Sequence, residues 1–346
     1  MEIRFLGAES LGVRSLSLFI DLGARKIVID PGVALGFYRR GLHPHPLQAV
    51  FSEITKVRIV KALRSASDVV VTHLHGDHVP LYRANPFQLP LDVVRMVVQR
   101  KVFLWMKRFE DMSSLELARA RHLIDCLGDR LVLRQGSHDD CVELLGPYSH
   151  GLEKSRVVGV VARLGSRTLV HLSDTQLLVD DVVKDVREHD PWILIVSGPP
   201  LYRYHGASRE RLAEIARLNL AKLCSYADYV IVDHHLLRSV DGSMWLDEVR
   251  KEVGDRVMCV ADFIGSPRLL LEAWREVLYE TIPTNRRWFL EQSYTGCGEA
   301  IATYREIVEE LVKNLPRETT VELDEVRRHL RELSTQFLDK DMDRRT

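Results

Sequence analysis

The sequence lacks three features that would place it in a specialised class. No apolar run approaches the roughly 18 residues of a membrane span, and the first residues show no basic stretch followed by an apolar one. The five cysteines include no CxxC pair, which argues against a disulfide framework and a thiolate zinc site. With 48 basic and 49 acidic residues the net charge is −1, so no global field attracts nucleic acid. We therefore expect a cytoplasmic protein with no membrane partner.

The chain does have enough apolar material for a large buried core. It contains 346 residues, of which 46% are hydrophobic, and shows no clear linker or repeat. We predict a single domain over 1–346, with a core over about 1–265, a helical C-terminal extension over about 266–338 and a frayed tail over 339–346.

Short apolar runs alternate with helical patterns, which predicts an α/β fold. The expected strands cover residues 3–6, 15–21, 26–30, 68–72, 130–134, 141–145, 156–163, 167–173, 192–196 and 229–232. The expected helices cover residues 46–65 and 208–225, together with two amphipathic helices in 91–127, the first over 93–108. We expect the basic face of that first helix to be solvated while its apolar face packs on the domain.

Residues 72–78 form the most informative segment, Thr-His-Leu-His-Gly-Asp-His, directly after an apolar run. In an extended chain, side chains two positions apart share a face, so His73 and His75 can bind one metal ion together. Gly76 then allows a turn, after which Asp77 and His78 can face a second ion. This spacing predicts a two-metal hydrolytic site.

Several apolar, β-branched runs end in a residue that can bind metal. Such runs are typical of strands buried on both faces, and functional groups at their ends indicate one shared edge of the sheets. These groups are Asp30, His73, Asp174, and the pair of Asp233 and His234. We expect them to meet at the active site.

The order of these residues resembles the metallo-β-lactamase-fold hydrolase superfamily. There, an early aspartate, an HxHxDH element, a lone histidine, an aspartate and a final histidine follow one another. The matching residues here are Asp30; His73, His75, Asp77 and His78; His150; Asp174; and His234 or His235. The segments GAESLGVRS, IDPGVALG and DHHLLR look more narrowly like an uncharacterised archaeal family of predicted metal-dependent hydrolases.

The resemblance implies a four-layer αββα sandwich, two packed sheets flanked by helices. It also implies two metal ions, the first held by His73, His75 and His150 and the second by Asp77, His78 and the last histidine, with Asp174 bridging. The ligand set favours two Zn²⁺ ions, with iron or manganese as alternatives. A hydroxide that bridges the metals would be the nucleophile.

Further predictions concern the last histidine, Asp30 and two candidates for substrate binding. Adjacent residues on an extended strand point to opposite faces, so only one of His234 and His235 should reach the metal. We prefer His234, because an arginine follows four residues later, as in a related tRNA-processing branch, and we keep His235 as the alternative. Asp30 should orient the metal-binding loop through hydrogen bonds. Arg238 and His205 are candidates for substrate binding.

We therefore predict a metallo-hydrolase in which Asp77 and His234 are catalytic. Its substrate would be a small molecule with an ester, lactone, thioester or phosphodiester bond. The alternatives are a nuclease acting on RNA or DNA, which the near-neutral charge does not favour, and a non-catalytic metal-binding subunit of the same fold. Redox catalysis at a di-iron site is a further class. The sequence does not define the oligomeric state.

Overall fold

A computed structural model describes residues 1–136 and 138–282. The first half of the described chain forms a six-stranded sheet whose strands follow one another in chain order. These strands are β1 (Glu2–Ala8), β2 (Leu16–Asp21), β3 (Lys26–Ile29), β4 (Asp68–Val71), β5 (Val102–Met106) and β6 (Leu131–Gln135). The first three strands are antiparallel, and β3 to β6 are parallel.

The second half of the described chain repeats this arrangement in another six-stranded sheet. Its strands are β7 (Val142–Ser149), β8 (Arg156–Leu164), β9 (Arg167–His171), β10 (Ile193–Ser197), β11 (Tyr229–Asp233) and β12 (Val257–Met258). Again the first three are antiparallel and the last four, from β9, run parallel. Parallel strands need crossover connections, which explains why helices separate the later strands in both halves.

The two sheets share one hydrophobic core. Every residue of β4 and of β10 is buried, as expected for strands covered on both faces. Hydrogen bonds also join the two sheets. For example, the Val158 N–H donates to the Thr72 carbonyl (3.1 Å), and His171 Nε2 contacts the Leu16 carbonyl (3.2 Å). His171 thereby links the second sheet to β2 of the first.

Helices accompany each sheet and complete the four layers. The helices of the first half are α1 (Pro46–Ser65), α2 (Leu91–Val97) and α3 (Ser114–Leu127), and those of the second are α4 (Val182–His189), α5 (Gly206–Cys224), α6 (Val240–Val253) and the short α7 (Val260–Phe263). The predicted αββα class is thus confirmed, with two mixed sheets between helices. None of the described helices is long and apolar enough to cross a membrane.

The predicted helix over 93–108 is wrong. Helix α2 ends at Val97, and residues Val102–Met106 form β5 in the middle of the first sheet, between β4 and β6. The apolar run fits a strand because four of its five residues are buried within the sheet. The Trp105 indole N–H also donates to Asp68 Oδ1 of β4 at 2.8 Å. A five-residue apolar run has no periodicity that separates a helix from a buried strand.

The predicted C-terminal extension is described only up to Ile282. Within 266–282 the structure has one helix, α8 (Arg275–Thr281), preceded by a segment in which Leu269 pairs with Leu11 of the first sheet's N-terminal region. The remainder of the predicted extension and the predicted tail, 283–346, lie outside the described residues. The division into a core and an extension stays a prediction.

Candidate metal centre

The predicted metal ligands meet at one edge of the sandwich, where strands of both sheets end. The loop after β4 carries His73, His75, Asp77 and His78. From the second sheet, His150 follows β7, Asp174 lies in a short turn after β9, and His234 and His235 follow β11. The carboxyl ends of parallel strands share an edge, so residues far apart in sequence become neighbours.

One carboxylate oxygen, Asp174 Oδ2, lies at the centre of this group. Five imidazole Nε2 atoms surround it at 3.0 to 3.7 Å, and all six side chains are buried. The distances are 3.0 Å for His235, 3.1 Å for His150, 3.4 Å for His78, 3.5 Å for His73 and 3.7 Å for His234. A carboxylate in this position can contact ligands of both predicted metal ions.

The side chains form two groups that match the predicted ligand sets. Within each group the ligand atoms lie within 4.8 Å of one another. The first contains His73, His75, His150 and Asp174, and the second contains Asp77, His78 and His234. Donor sets of imidazole and carboxylate groups at this spacing suit Zn²⁺, Fe²⁺ or Mn²⁺.

Both His234 and His235 reach the centre, which the extended-chain argument did not anticipate. His234 has a left-handed backbone, with φ of +59°, so the chain turns immediately after β11. His234 Nε2 then faces Asp77 Oδ2 at 3.5 Å while His235 Nε2 contacts Asp174. The structure also groups both histidines with Asp174. Which of the two binds metal stays a prediction.

Three buried ligand-capable atoms here have no hydrogen-bond partner among the described residues. They are His73 Nε2, Asp174 Oδ1 and His235 Nδ1. A buried polar atom without a partner typically costs about 1–3 kcal/mol, so such atoms need an explanation. A bound cation would satisfy the lone pairs of His73 and Asp174. The residues present therefore fit a metal ion.

Most of the protonation states also suit metal binding. The exception is His78, for which burial would lower the pKa but Asp174 and Asp30 outweigh burial and raise it well above its ordinary value. Burial lowers the pKa of His73, His75, His234 and His235, so their rings are neutral, the form that binds a cation. Burial alone would raise the pKa of the two aspartates, but nearby cationic and imidazole groups outweigh it. The pKa of Asp77 and of Asp174 is held well below its usual range. Both carboxylates are therefore ionised.

Asp30 lies next to the predicted ligands and forms hydrogen bonds with Thr72, Ser173 and His78. Its Oδ2 accepts hydrogen bonds from the Thr72 hydroxyl (2.7 Å) and the Ser173 hydroxyl (3.2 Å) and contacts His78 Nδ1 at 2.8 Å. Its Oδ1 accepts the Thr72 backbone N–H at 2.8 Å. Because Asp30 binds Nδ1 of His78, it fixes the proton there and leaves Nε2 facing Asp174.

Sequence reasoning missed a buried ion-pair network on the other side of Asp77. Arg238 donates to Asp77 Oδ2 (3.1 Å), to Glu9 Oε2 (3.1 Å) and to His234 Nε2 (2.8 Å), and it is only 4% exposed. Glu9 precedes Arg238 by 229 positions, so only the fold brings them together. Its place in the GAESLGVRS segment was the one available signal.

Arg238 and His205, the predicted substrate-binding residues, both line a cavity of about 260 Å³ beside the metal centre. Arg238 connects this cavity to the metal centre, because it also contacts Asp77. His205 precedes α5 and makes no capping hydrogen bond with its side chain.

The two six-stranded sheets, the helical layers and the strand-end ligands define a protein of metallo-β-lactamase fold, the class that the sequence resembled. No protein-family profile matches the chain. Among solved structures it resembles Tm1679, a metal-dependent hydrolase of the β-lactamase superfamily, with a TM-score of 0.42 and 13% identity over 74% of this chain and 94% of that one. The metallo-β-lactamase-fold protein YhfI from Bacillus subtilis gives a TM-score of 0.42 and 12% identity, over 74% and 95%.

Sequence relatives are archaeal. A UPF0282 protein of Methanosarcina mazei is 36% identical over 83% of this chain and 95% of its own length. UPF0282 proteins of Pyrococcus horikoshii and Korarchaeum cryptofilum are both 30% identical, over 81% and 84% of this chain and 93% and 100% of their own lengths. The chain belongs to the UPF0282 family, which confirms the predicted archaeal affinity.

Proposed function

We propose that this protein is a metal-dependent hydrolase that acts on a small molecule. The observation that carries the proposal is the ring of five imidazole Nε2 atoms within 3.7 Å of Asp174 Oδ2, in a buried centre with unsatisfied ligand atoms. A purely structural cluster of neutral histidines around a carboxylate would leave those atoms without compensation.

Two divalent ions are proposed, with Zn²⁺ as the first choice. His73, His75 and His150 would hold one, Asp77, His78 and His234 or His235 the other, and Asp174 would contact both. Bound ions of this kind lower the pKa of water toward about 7 and stabilise negative charge on the reacting oxygens of an ester, lactone, thioester or phosphodiester.

The exposure of the ligands indicates the side from which substrate enters. The Asp77 side chain is 18% exposed, whereas those of His73, His78 and Asp174 are at most 1% exposed. The ionised Asp77 carboxylate is therefore the anionic group best placed to orient an attacking water by accepting its hydrogen bond. The His234 ring, beside Asp77, is the second proposed catalytic group.

The test begins with metal analysis of the full chain purified without added metal. A panel of ester, lactone, thioester and phosphodiester substrates, with RNA and DNA included, is then applied to wild type, Asp77→Ala and the control Asp129→Ala. Asp129 is exposed in a turn remote from the centre in sequence. We expect about two metal ions per chain, and an activity that chelation and Asp77→Ala abolish while Asp129→Ala leaves it unchanged.

Each alternative gives a different result. Cleavage of RNA or DNA alone would support a nuclease in place of a small-molecule hydrolase. Stoichiometric metal that cannot be exchanged, with no activity on any substrate, would support a non-catalytic subunit. Activity that survives complete removal of metal would refute the proposal.

A further inference from the structure

The cavity beside the metal centre is unusually rich in arginine. Five arginines and three carboxylates line it, so that its wall carries a formal excess of two positive charges. The arginines are Arg39, Arg40, Arg209, Arg238 and Arg275, and the carboxylates are Asp241, Glu272 and Glu276. A concave surface with an excess of one charge concentrates ligands of the opposite charge.

The pairing of these groups leaves positive charge uncompensated. Arg275 donates to Gln48, Leu42 and Gly36, all of which offer neutral oxygens. Glu272, in contrast, is shared, since both Arg39 and Arg14 donate to it at 2.5 to 2.6 Å. One carboxylate therefore pairs with two guanidinium groups, whereas the hydrogen bonds of the Arg275 guanidinium go to neutral oxygens.

The surrounding arginines also affect the pKa of Tyr202, which lines the cavity. Burial would raise the pKa of its phenol, but Arg238, Arg14 and Arg203 outweigh burial and lower it. The Tyr202 ring also lies under the Arg39 guanidinium at 4.0 Å, which holds that side chain in the wall. The cavity thus offers a hydroxyl and guanidinium groups held in place by their neighbours.

The cavity leads to the metal centre through Arg238. This guanidinium lines the cavity and donates to Asp77 Oδ2 and His234 Nε2. An anion held against the cavity face of Arg238 is therefore separated from the second group of metal ligands by one side chain.

We propose that this cavity binds a phosphate group of the substrate, so that the reaction acts on a small phosphorylated molecule. This inference rests on the proposed hydrolase function for the site at which the substrate reacts. Guanidinium groups bind phosphate through paired hydrogen bonds, and a tetrahedral dianion can use donors from several directions. A carboxylate is planar and carries a single charge.

Binding of inorganic phosphate to the full chain, by titration calorimetry, tests the proposal. It compares wild type with Arg209→Met, both as purified and after chelation of metal, with acetate as a second ligand. Arg209 is 38% exposed and its ion pair with Asp241 is 3.0 Å long, so its loss should not unfold the chain. Arg217→Met is the matched control, since Arg217 lies in the same helix, is 40% exposed and pairs with Glu252.

We expect saturable phosphate binding that persists after chelation, is tighter than acetate binding, and weakens about tenfold in Arg209→Met but not in Arg217→Met. The proposal is overturned if phosphate binding disappears on chelation, if both variants behave alike, or if acetate binds as tightly. Arg209-dependent phosphate binding without any hydrolysis would refute the proposed hydrolase function but support phosphate binding in the cavity. Hydrolysis of uncharged substrates without phosphate binding would support the proposed hydrolase function and refute phosphate binding in the cavity.

Discussion

Replacement of Asp30 by asparagine tests whether this buried carboxylate controls the metal centre through His78. In wild type the carboxylate accepts from the Thr72 N–H and serves three further groups, the two hydroxyls of Thr72 and Ser173 and His78 Nδ1, at 2.7 to 3.2 Å. An asparagine side chain has nearly the same shape but only one acceptor oxygen. The variant therefore changes hydrogen-bond polarity rather than packing.

The hydrogen-bond partners around position 30 determine the orientation of the amide group in Asp30→Asn. With its oxygen toward the Thr72 N–H, its NH₂ group can donate to one hydroxyl and to His78 Nδ1, while the Thr72 and Ser173 hydroxyls bond to each other at 2.7 Å. His78 must then carry its proton on Nε2, the atom that faces Asp174 at 3.4 Å. A protonated Nε2 cannot bind a cation, and loss of such a supporting group typically reduces metal affinity about 10- to 100-fold.

The stability cost should be similar in size to the loss of metal affinity, since a 10- to 100-fold change corresponds to about 1.4–2.7 kcal/mol. Hydrogen bonds to a charged acceptor become bonds to a neutral one, which costs about 1–3 kcal/mol in total. Asp30→Ala should cost more, because it leaves several buried donors without an acceptor. The contrast between these two variants separates the tautomer effect from simple loss of structure.

Two assays measure these quantities. Competition with a chelator gives Zn²⁺ affinity, and urea unfolding in the presence of EDTA gives the free energy of unfolding without metal. Asp21→Asn, at the end of β2, is the control, and we expect it to change neither quantity by much because Asp21 is partly exposed. Wild-type Zn²⁺ affinity in Asp30→Asn would refute the reasoning.

Two further substitutions probe the surroundings of the centre. Gly32→Ala would place a Cβ 2.3 Å from the backbone of His78 and Val79, so we expect urea unfolding to show a loss of about 1–3 kcal/mol or more, together with weaker Zn²⁺ binding. Gly23→Ala, where a Cβ meets nothing within 4 Å, should lose only about 1 kcal/mol to backbone strain. Burial and the neighbouring Glu272 raise the pKa of Glu9 to about 8, above its value of about 4.5 in the unfolded chain. The folded state therefore retains a proton that the unfolded state releases, and stability should fall between pH 4.5 and 8 by at most about 1.4 kcal/mol per pH unit from this group. Urea unfolding in EDTA should show a shallower fall in Glu9→Gln, and parallel pH profiles would count against this assignment.

The strand-end ligands could be predicted because two local signals agree. Apolar β-branched runs identify strands that are buried on both faces, and a polar residue directly after such a run has to lie at the sheet edge. Asp30, the residues after β4, and Asp174 all follow this rule, and the structure places them together. Spacing alone was sufficient here because strand, turn and ligand are adjacent in sequence.

Other features depend on information that local sequence does not contain. Strand β5 is recognisable only from its neighbours β4 and β6, since its five apolar residues suit a helix equally well. The left-handed turn at His234 directs two adjacent histidines into one centre, and although histidine adopts this backbone more often than most residues, its presence alone does not predict the turn. The contact between Glu9 and Arg238 joins the two halves of the fold.

Both sheets contribute side chains to the metal centre. The first supplies Asp30 and the four ligands of the loop after β4, and the second supplies His150, Asp174 and the final histidines. Each of the two predicted ligand sets draws side chains from both sheets, and Asp174 of the second sheet lies close to His73 and His78 of the first. A metal ion bound here therefore favours the packed pair of sheets over the separated pair. Ligand linkage makes this contribution about 2.7 kcal/mol at a free metal concentration 100 times the dissociation constant. The unsatisfied atoms that mark the centre are thus also the places where binding adds stability to the fold.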